Sequence, residues 1–205
     1  MAKTTDKKEE VKNNTKDVKR EFMLNKDVSA ESVQPIIEGI NAVNNHDKEQ
    51  EERNPDYVRK PIKLIVDSLG GYIYDGFTLA NTIDTSETPV HTYCLGKAMS
   101  MGFLLFVVGH KRFVAESATL LYHDGGTTLA GTFETIKQDL ERNIRLRERG
   151  NDFIVRYTNI PRSRLEEVVL MKQDWDITGA EALKLGVADE IIPSTRAKHR
   201  KNLNK

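Results

Sequence analysis

The sequence predicts an α/β fold, and three observations carry that expectation. Two strand-then-helix units follow one another, residues 21–24 with 29–45 and residues 62–66 with 72–85. The second unit turns on a glycine pair, Gly70-Gly71. A third strand-like stretch, residues 90–95, then leads into residues 102–109, the most apolar run in the chain and a candidate buried helix. Strands alternating with helices in this way are the rhythm of a sheet covered by crossover helices. At 205 residues the chain is long enough for one sizeable core with tails.

Each element follows from its own pattern. EFML at 21–24 reads as a short strand, and residues 29–45 carry Val33, Ile36, Ile37, Ile40 and Val43 at helical spacing. Residues 44–60 read as a charged surface insertion with Pro55 inside it, too polar to be buried. IKLIV at 62–66 is a compact apolar strand ending in Asp67-Ser68-Leu69-Gly70-Gly71, where the glycines permit positive φ and the close approach of another chain. The helix over 72–85 presents Ile73, Phe77, Ala80 and Ile83, and Pro89 closes the connection that follows. Residues 112–114 and 119–122 read as two short strands, the second running into His123-Asp124-Gly125-Gly126. Residues 133–157 form the longest helical pattern, with Phe133, Ile136, Leu140, Ile144, Phe153, Ile154 and Tyr157 recurring on one face and Gly150 loosening the middle. A helix of that length projects beyond a small core, so its stripe needs a partner subunit. Pro161 opens a shorter helix to about residue 170. Asp174-Trp175-Asp176, a helix over 179–185, a Gly186 stop and a final strand over 187–192 complete the chain.

Bulk composition excludes several classes. Lys plus Arg equals Asp plus Glu at 31 each, so no overall field points to nucleic acid or an anionic membrane. The ends are uneven: residues 1–20 carry seven basic and four acidic side chains with almost nothing apolar, and residues 194–205 are basic. Both read as disordered tails around a domain spanning 21–193. The lone Cys94 has no partner for an internal disulfide and is expected to face the core. The first residues lack an apolar h-region, and residues 103–108 are too short to cross a bilayer. The expectation is a soluble protein of a reducing compartment, the cytoplasm.

Chemistry concentrates at three places. Ser100 sits where a strand gives way to a buried helix, whose first amides have no intrahelical partner and favour an oxyanion nearby. Gly96, Ala98 and Gly102 leave room for a substrate backbone, although a serine there also suits a helix N-cap. His123 alone among the five histidines stands at a strand end beside a glycine pair. Asp174, with Asp176 two residues away, supplies a carboxylate to orient it. A serine hydroxyl becomes an effective nucleophile when an adjacent imidazole takes its proton and a carboxylate fixes the imidazole tautomer.

These residues carry a resemblance. From about residue 62 to 192 the chain resembles the proteolytic subunit of the Clp protease, within the crotonase-like superfamily. DSLGG at 67–71 resembles the family's NSPGG, and GKAMSMGFLL at 96–105 its G-x-A-A-S-M-G. LLYHDGG at 120–126 resembles M-I-H-Q-P followed by glycines, and DWDITGAEALKLGVADEII at 174–192 the segment that holds the catalytic aspartate. The resemblance implies a crotonase-like α/β fold of repeated strand-helix units with a projecting handle region over about 124–158. It implies Ser100 as nucleophile, His123 as general base and then acid, Asp174 as orienting acid with Asp176 as its rival, and the N–H groups of Gly71 and Met101 as oxyanion hole. Peptides or unfolded proteins are the implied substrates, bound as an added strand beside Gly70 and Gly71 with Gly125 nearby. Two heptameric rings stacked into a tetradecamer, no cofactor, no metal and a Clp-type ATPase partner complete the implication.

The chain departs from the pattern at several positions. Asp67 and Leu69 replace Asn and Pro, Met99 replaces a small residue, and Asp124-Gly125 replaces Gln-Pro. Lys63 and Ile65 stand where the family often has aromatics that dock the ATPase, and the N-terminal stretch lacks an apolar start, which weakens the expectation of that partner. Two other readings share the same residues. One is a non-catalytic ring or scaffold subunit. The other is a crotonase-type enzyme acting on acyl-CoA thioesters, which uses paired amides but does not require a Ser-His-Asp set.

Overall fold

The computed structural model describes residues 18–196. Most of the two expected tails lies outside that range. The elements in chain order are β1 (Glu21–Leu24), α1 (Ala30–Arg53), β2 (Ile62–Val66), α2 (Ile73–Asp84), β3 (Val90–Cys94), β4 (Lys97–Met99), α3 (Met101–Val107), β5 (Lys111–Val114), β6 (Thr119–Tyr122), α4 (Phe133–Tyr157), α5 (Arg162–Met171), β7 (Trp175–Thr178), α6 (Gly179–Lys184) and β8 (Glu190–Ile191).

Five strands form one parallel sheet in the order β1-β2-β3-β5-β8. Parallel neighbours need a long crossover, and α1, α2 and the β4-α3 segment provide the first three. A second sheet of three strands, β4-β6-β7, pairs β4 with β6 in parallel and β6 with β7 antiparallel. All seven residues of α3 are buried. A helix apolar on every side has no face for water, and α3 accordingly touches α2, α4 and strands of both sheets. Cys94 is buried and unpaired, as its strand position predicts.

The α/β expectation is met, and the differences have local causes. Helix α1 runs to Arg53, where the sequence reading places a charged loop from residue 44. The stretch NNHDKEQEER is polar, but it is rich in Lys, Glu, Gln and Arg and meets no breaker before Asn54-Pro55. Strand β4 carries only three residues, too few for a period-2 signal, and of the four residues of β7 only Ile177 is buried. The last strand shrinks to Glu190–Ile191 because the amides of Val187 and Ala188 both donate to the Ala182 carbonyl at 2.8 and 3.1 Å, capping α6. In α4 the stripe divides. Leu146, Gly150, Asn151 and Ile154 are buried, while Phe133 is 95% exposed and Leu140 and Ile144 are also open to solvent.

Polarity misleads most at Asp47, which the sequence reading assigns to the exposed insertion and which is fully buried. Its carboxylate accepts from both Nη atoms of Arg20, from Tyr57 Oη at 2.7 Å and from Thr88 Oγ1 at 2.8 Å. Arg59 extends the network to Glu51 and Glu87, and Asn44 Oδ1 accepts from the Thr88 amide at 2.8 Å. The network thereby ties the start of β1, the end of α1 and the approach to β3 together. Burial alone would raise the Asp47 pKa, but these hydrogen bonds outweigh it and bring the group from 3.8 down to about 2. A folded-state pKa below the unfolded one stabilises at pH above the unfolded value, and that stabilisation is lost as pH falls through about 2. The difference corresponds to about 2 kcal/mol. Asp47→Asn is therefore expected to unfold at lower denaturant than wild type at pH 7, with the gap closing between pH 4 and pH 2; a gap independent of pH overturns this account.

Candidate active site

Ser100 connects β4 to α3 with φ 53° and ψ −122°. This is a region that L-residues avoid at a cost of about 1–3 kcal/mol, so the surrounding contacts must hold it. Its amide donates to the Leu121 carbonyl at 2.9 Å, and its carbonyl accepts from Phe103 and Leu104. The Met99 amide donates to the Ser68 carbonyl at 3.0 Å, which pins the preceding strand from the other side. The N-cap alternative is resolved by the side chain. Ser100 occupies the cap position, yet its hydroxyl makes no capping hydrogen bond to α3.

The glycine pair lies against this turn. Gly70 has φ 112°, and a Cβ there stands 2.7 Å from Ser100 Cβ and 3.2 Å from the Met101 nitrogen. Gly71 has φ 147°, and a Cβ there stands 2.4 Å from the Val28 carbonyl oxygen. Val28 takes one edge of the segment: its amide donates to the Gly70 carbonyl at 2.7 Å and its carbonyl accepts from the Tyr72 amide at 2.8 Å. Only the opposite edge is left for an added strand. The amides of Gly71 and Met101 donate to no acceptor among the described residues. Two free N–H groups beside an uncommitted hydroxyl are what a developing oxyanion requires. The buried Ser68, whose role the sequence reading misses, shapes this turn. Its Oγ donates to the Lys26 carbonyl at 2.7 Å and accepts from the Gly70 amide at 3.1 Å.

His123 follows β6 directly and Asp174 precedes β7. These strands are antiparallel with Tyr122 opposite Trp175, so His123 and Asp174 form the next opposed pair. His123 Nδ1 lies 3.6 Å from Asp174 Oδ1, an ion-pair separation longer than a hydrogen bond. Asp176 instead lies opposite Leu121, exposed. No hydrogen bond joins Ser100 Oγ to His123 among the described residues, although Ser100 is tied to Leu121, two residues before the histidine. Such bonds are often loose until substrate is bound. Asp124, the residue after His123, is paired with Arg147 of α4 at 3.3 Å. Gly125 is exposed and faces open space, so no close approach explains it. Asp67 accepts from the Lys97 amide at 3.2 Å and pairs with its Nζ at 3.3 Å beside the turn. No cluster of three His, Cys, Asp or Glu able to hold a metal occurs among the described residues, and no helix there is long and apolar enough to cross a membrane.

Comparison with known proteins returns one consistent answer. The family model described as Clp protease matches residues 6–195. The ATP-dependent Clp protease proteolytic subunit of Deinococcus radiodurans is 28% identical over 148 residues, covering 71% of this chain and 70% of the relative.

Proposed function

Since the chain belongs to the Clp protease family, we propose that it is a serine endopeptidase that cleaves peptides or unfolded proteins through an acyl-enzyme. The observation that carries this reading is the free Ser100 hydroxyl on its strained turn, beside the unbonded amides of Gly71 and Met101. In the proposed reaction His123 takes the Ser100 proton as Oγ attacks the scissile carbonyl carbon. The two amides hold the oxyanion, and His123 passes the proton to the leaving amine. Water then repeats the sequence on the acyl-enzyme. Asp174 faces Nδ1 and favours the tautomer that leaves Nε2 free as a base. Substrate lies along the edge of Gly70 and Gly71 that Val28 does not occupy, towards Gly125.

The exposed apolar residues Phe133, Leu140 and Ile144 support assembly through α4, in stacked rings of this chain as the resemblance implies. Tyr93 and Phe113 stack at 4.5 Å on the five-stranded sheet, with Lys63 Nζ and Lys111 Nζ 5.4 and 5.2 Å from their ring centroids. These ammonium groups cover aromatic surface that an apolar docking segment would use, which supports a peptidase less dependent on a Clp-type ATPase. Burial pushes the Cys94 thiol up to about 12, so it stays an inert thiol, in keeping with a cytoplasmic setting. The test is intact mass after treatment with a fluorophosphonate probe. One adduct per chain, absent from Ser100→Ala, is the expected result. No adduct on the folded assembly favours a scaffold subunit instead.

A further inference from the structure

His123 is flanked by two residues that are both tied to helix α4. On one side the Tyr122 hydroxyl donates to Asn151 Oδ1 at 2.8 Å, and both residues are buried. On the other side Asp124 Oδ1 pairs with Arg147 Nη1 at 3.3 Å. Asn151 and Arg147 are four residues apart, one turn of the same helix face. Arg147 is itself braced, since its Nε reaches Glu148 at 3.4 Å and Glu148 pairs with Arg162 of α5 at 2.9 Å. Burial pushes the Tyr122 phenol up to about 12, so it remains a donor throughout the working pH range. Tyr122 and Asp124 also replace the Ile and Gln of the M-I-H-Q-P pattern, so both ties use residues in which this chain departs from it.

We infer that Asn151 and Arg147 are positioning residues that hold His123 opposite Asp174 through Tyr122 and Asp124. The backbone of His123 has no helix or strand of its own, because β6 ends at Tyr122 and residues 123–130 are irregular. A strand end normally lets the next side chain swing. Clamping the residue before and the residue after removes that freedom, and a mispositioning of about 1 Å in such a base lowers rate by up to about 10²-fold. The bundle of α4 and α5 thus becomes the frame against which the imidazole is set.

The inference rests on the peptidase reading for its kinetic consequence, so the test uses two readouts. Arg147→Met cuts one tie, and Tyr122→Phe with Asn151→Leu removes the other while leaving no buried polar atom unpaired. Each is expected to lower kcat by about 10-fold with KM within about twofold, and Arg147→Lys is expected to recover most of the loss. The second readout does not depend on turnover. In a Ser100→Ala background, carbethoxylation of His123, resolved by peptide mapping, is expected to speed up in the cut variants while His91 and His110 keep their rates. Unchanged His123 reactivity in both cut variants overturns the inference, as does parallel acceleration at all three histidines, which marks general loosening. If wild type shows no peptidase activity but His123 responds selectively, the peptidase reading fails and the positioning role stands.

Discussion

Ser100→Ala is expected to lower peptide hydrolysis by on the order of 10⁴-fold or more, measured as kcat on a saturating peptide, without lowering conformational stability. The hydroxyl makes no capping hydrogen bond, so its removal orphans no cap. Ser100→Gly sharpens the test. It removes the same hydroxyl and also the Cβ that makes φ 53° and ψ −122° unfavourable. The Gly variant is therefore expected to be as inactive as the Ala variant and more stable than it by about 1 kcal/mol in chemical denaturation. Activity is lost in both, and stability separates them. Wild-type turnover in Ser100→Ala moves the nucleophile elsewhere; a Gly variant less stable than the Ala variant removes the argument for strain at the turn.

Asp174→Asn is expected to lower kcat by about 10²-fold, and Asp176→Asn to leave it within about twofold. An amide in place of the carboxylate no longer favours the tautomer with its proton on Nδ1. In buried triads this costs up to about 10⁴-fold. Here Asp174 is 65% exposed and 3.6 Å from His123, so water already screens much of its effect, and the expected loss is smaller. Asp176 lies two register positions further on, inside β7 and opposite Leu121. Equal losses in the two variants contradict the assignment drawn from the register, and a loss confined to Asp176→Asn reverses it.

The four sequence blocks hold every residue proposed for the catalysis, and the spacing of apolar residues is enough for α2, α4 and the central strands, with Pro161 marking the start of α5. Those signals act between residues a few positions apart, through helical and strand periodicity and glycine at turns. Two kinds of information are missing from them. The first is the fate of polar residues: Asp47 and Asn44 read as solvated because nothing nearby in sequence pairs with them, whereas Arg20, Tyr57 and Thr88 do so from 10 to 44 residues away. The second is register. The sequence favours Asp174 but keeps Asp176 two residues away as its rival, and it is the pairing of β6 with β7 across more than fifty residues that sets Asp174 opposite His123.

Fold class and residue chemistry are therefore legible in the chain because they rest on local composition and period. The strained φ of Ser100, the Val28 edge along Gly70 and Gly71, and the clamp on His123 are not, because each exists only where distant segments meet and compete for the same hydrogen bonds. Burial makes those pairings obligatory, since a polar group removed from water must find a partner wherever the fold brings one.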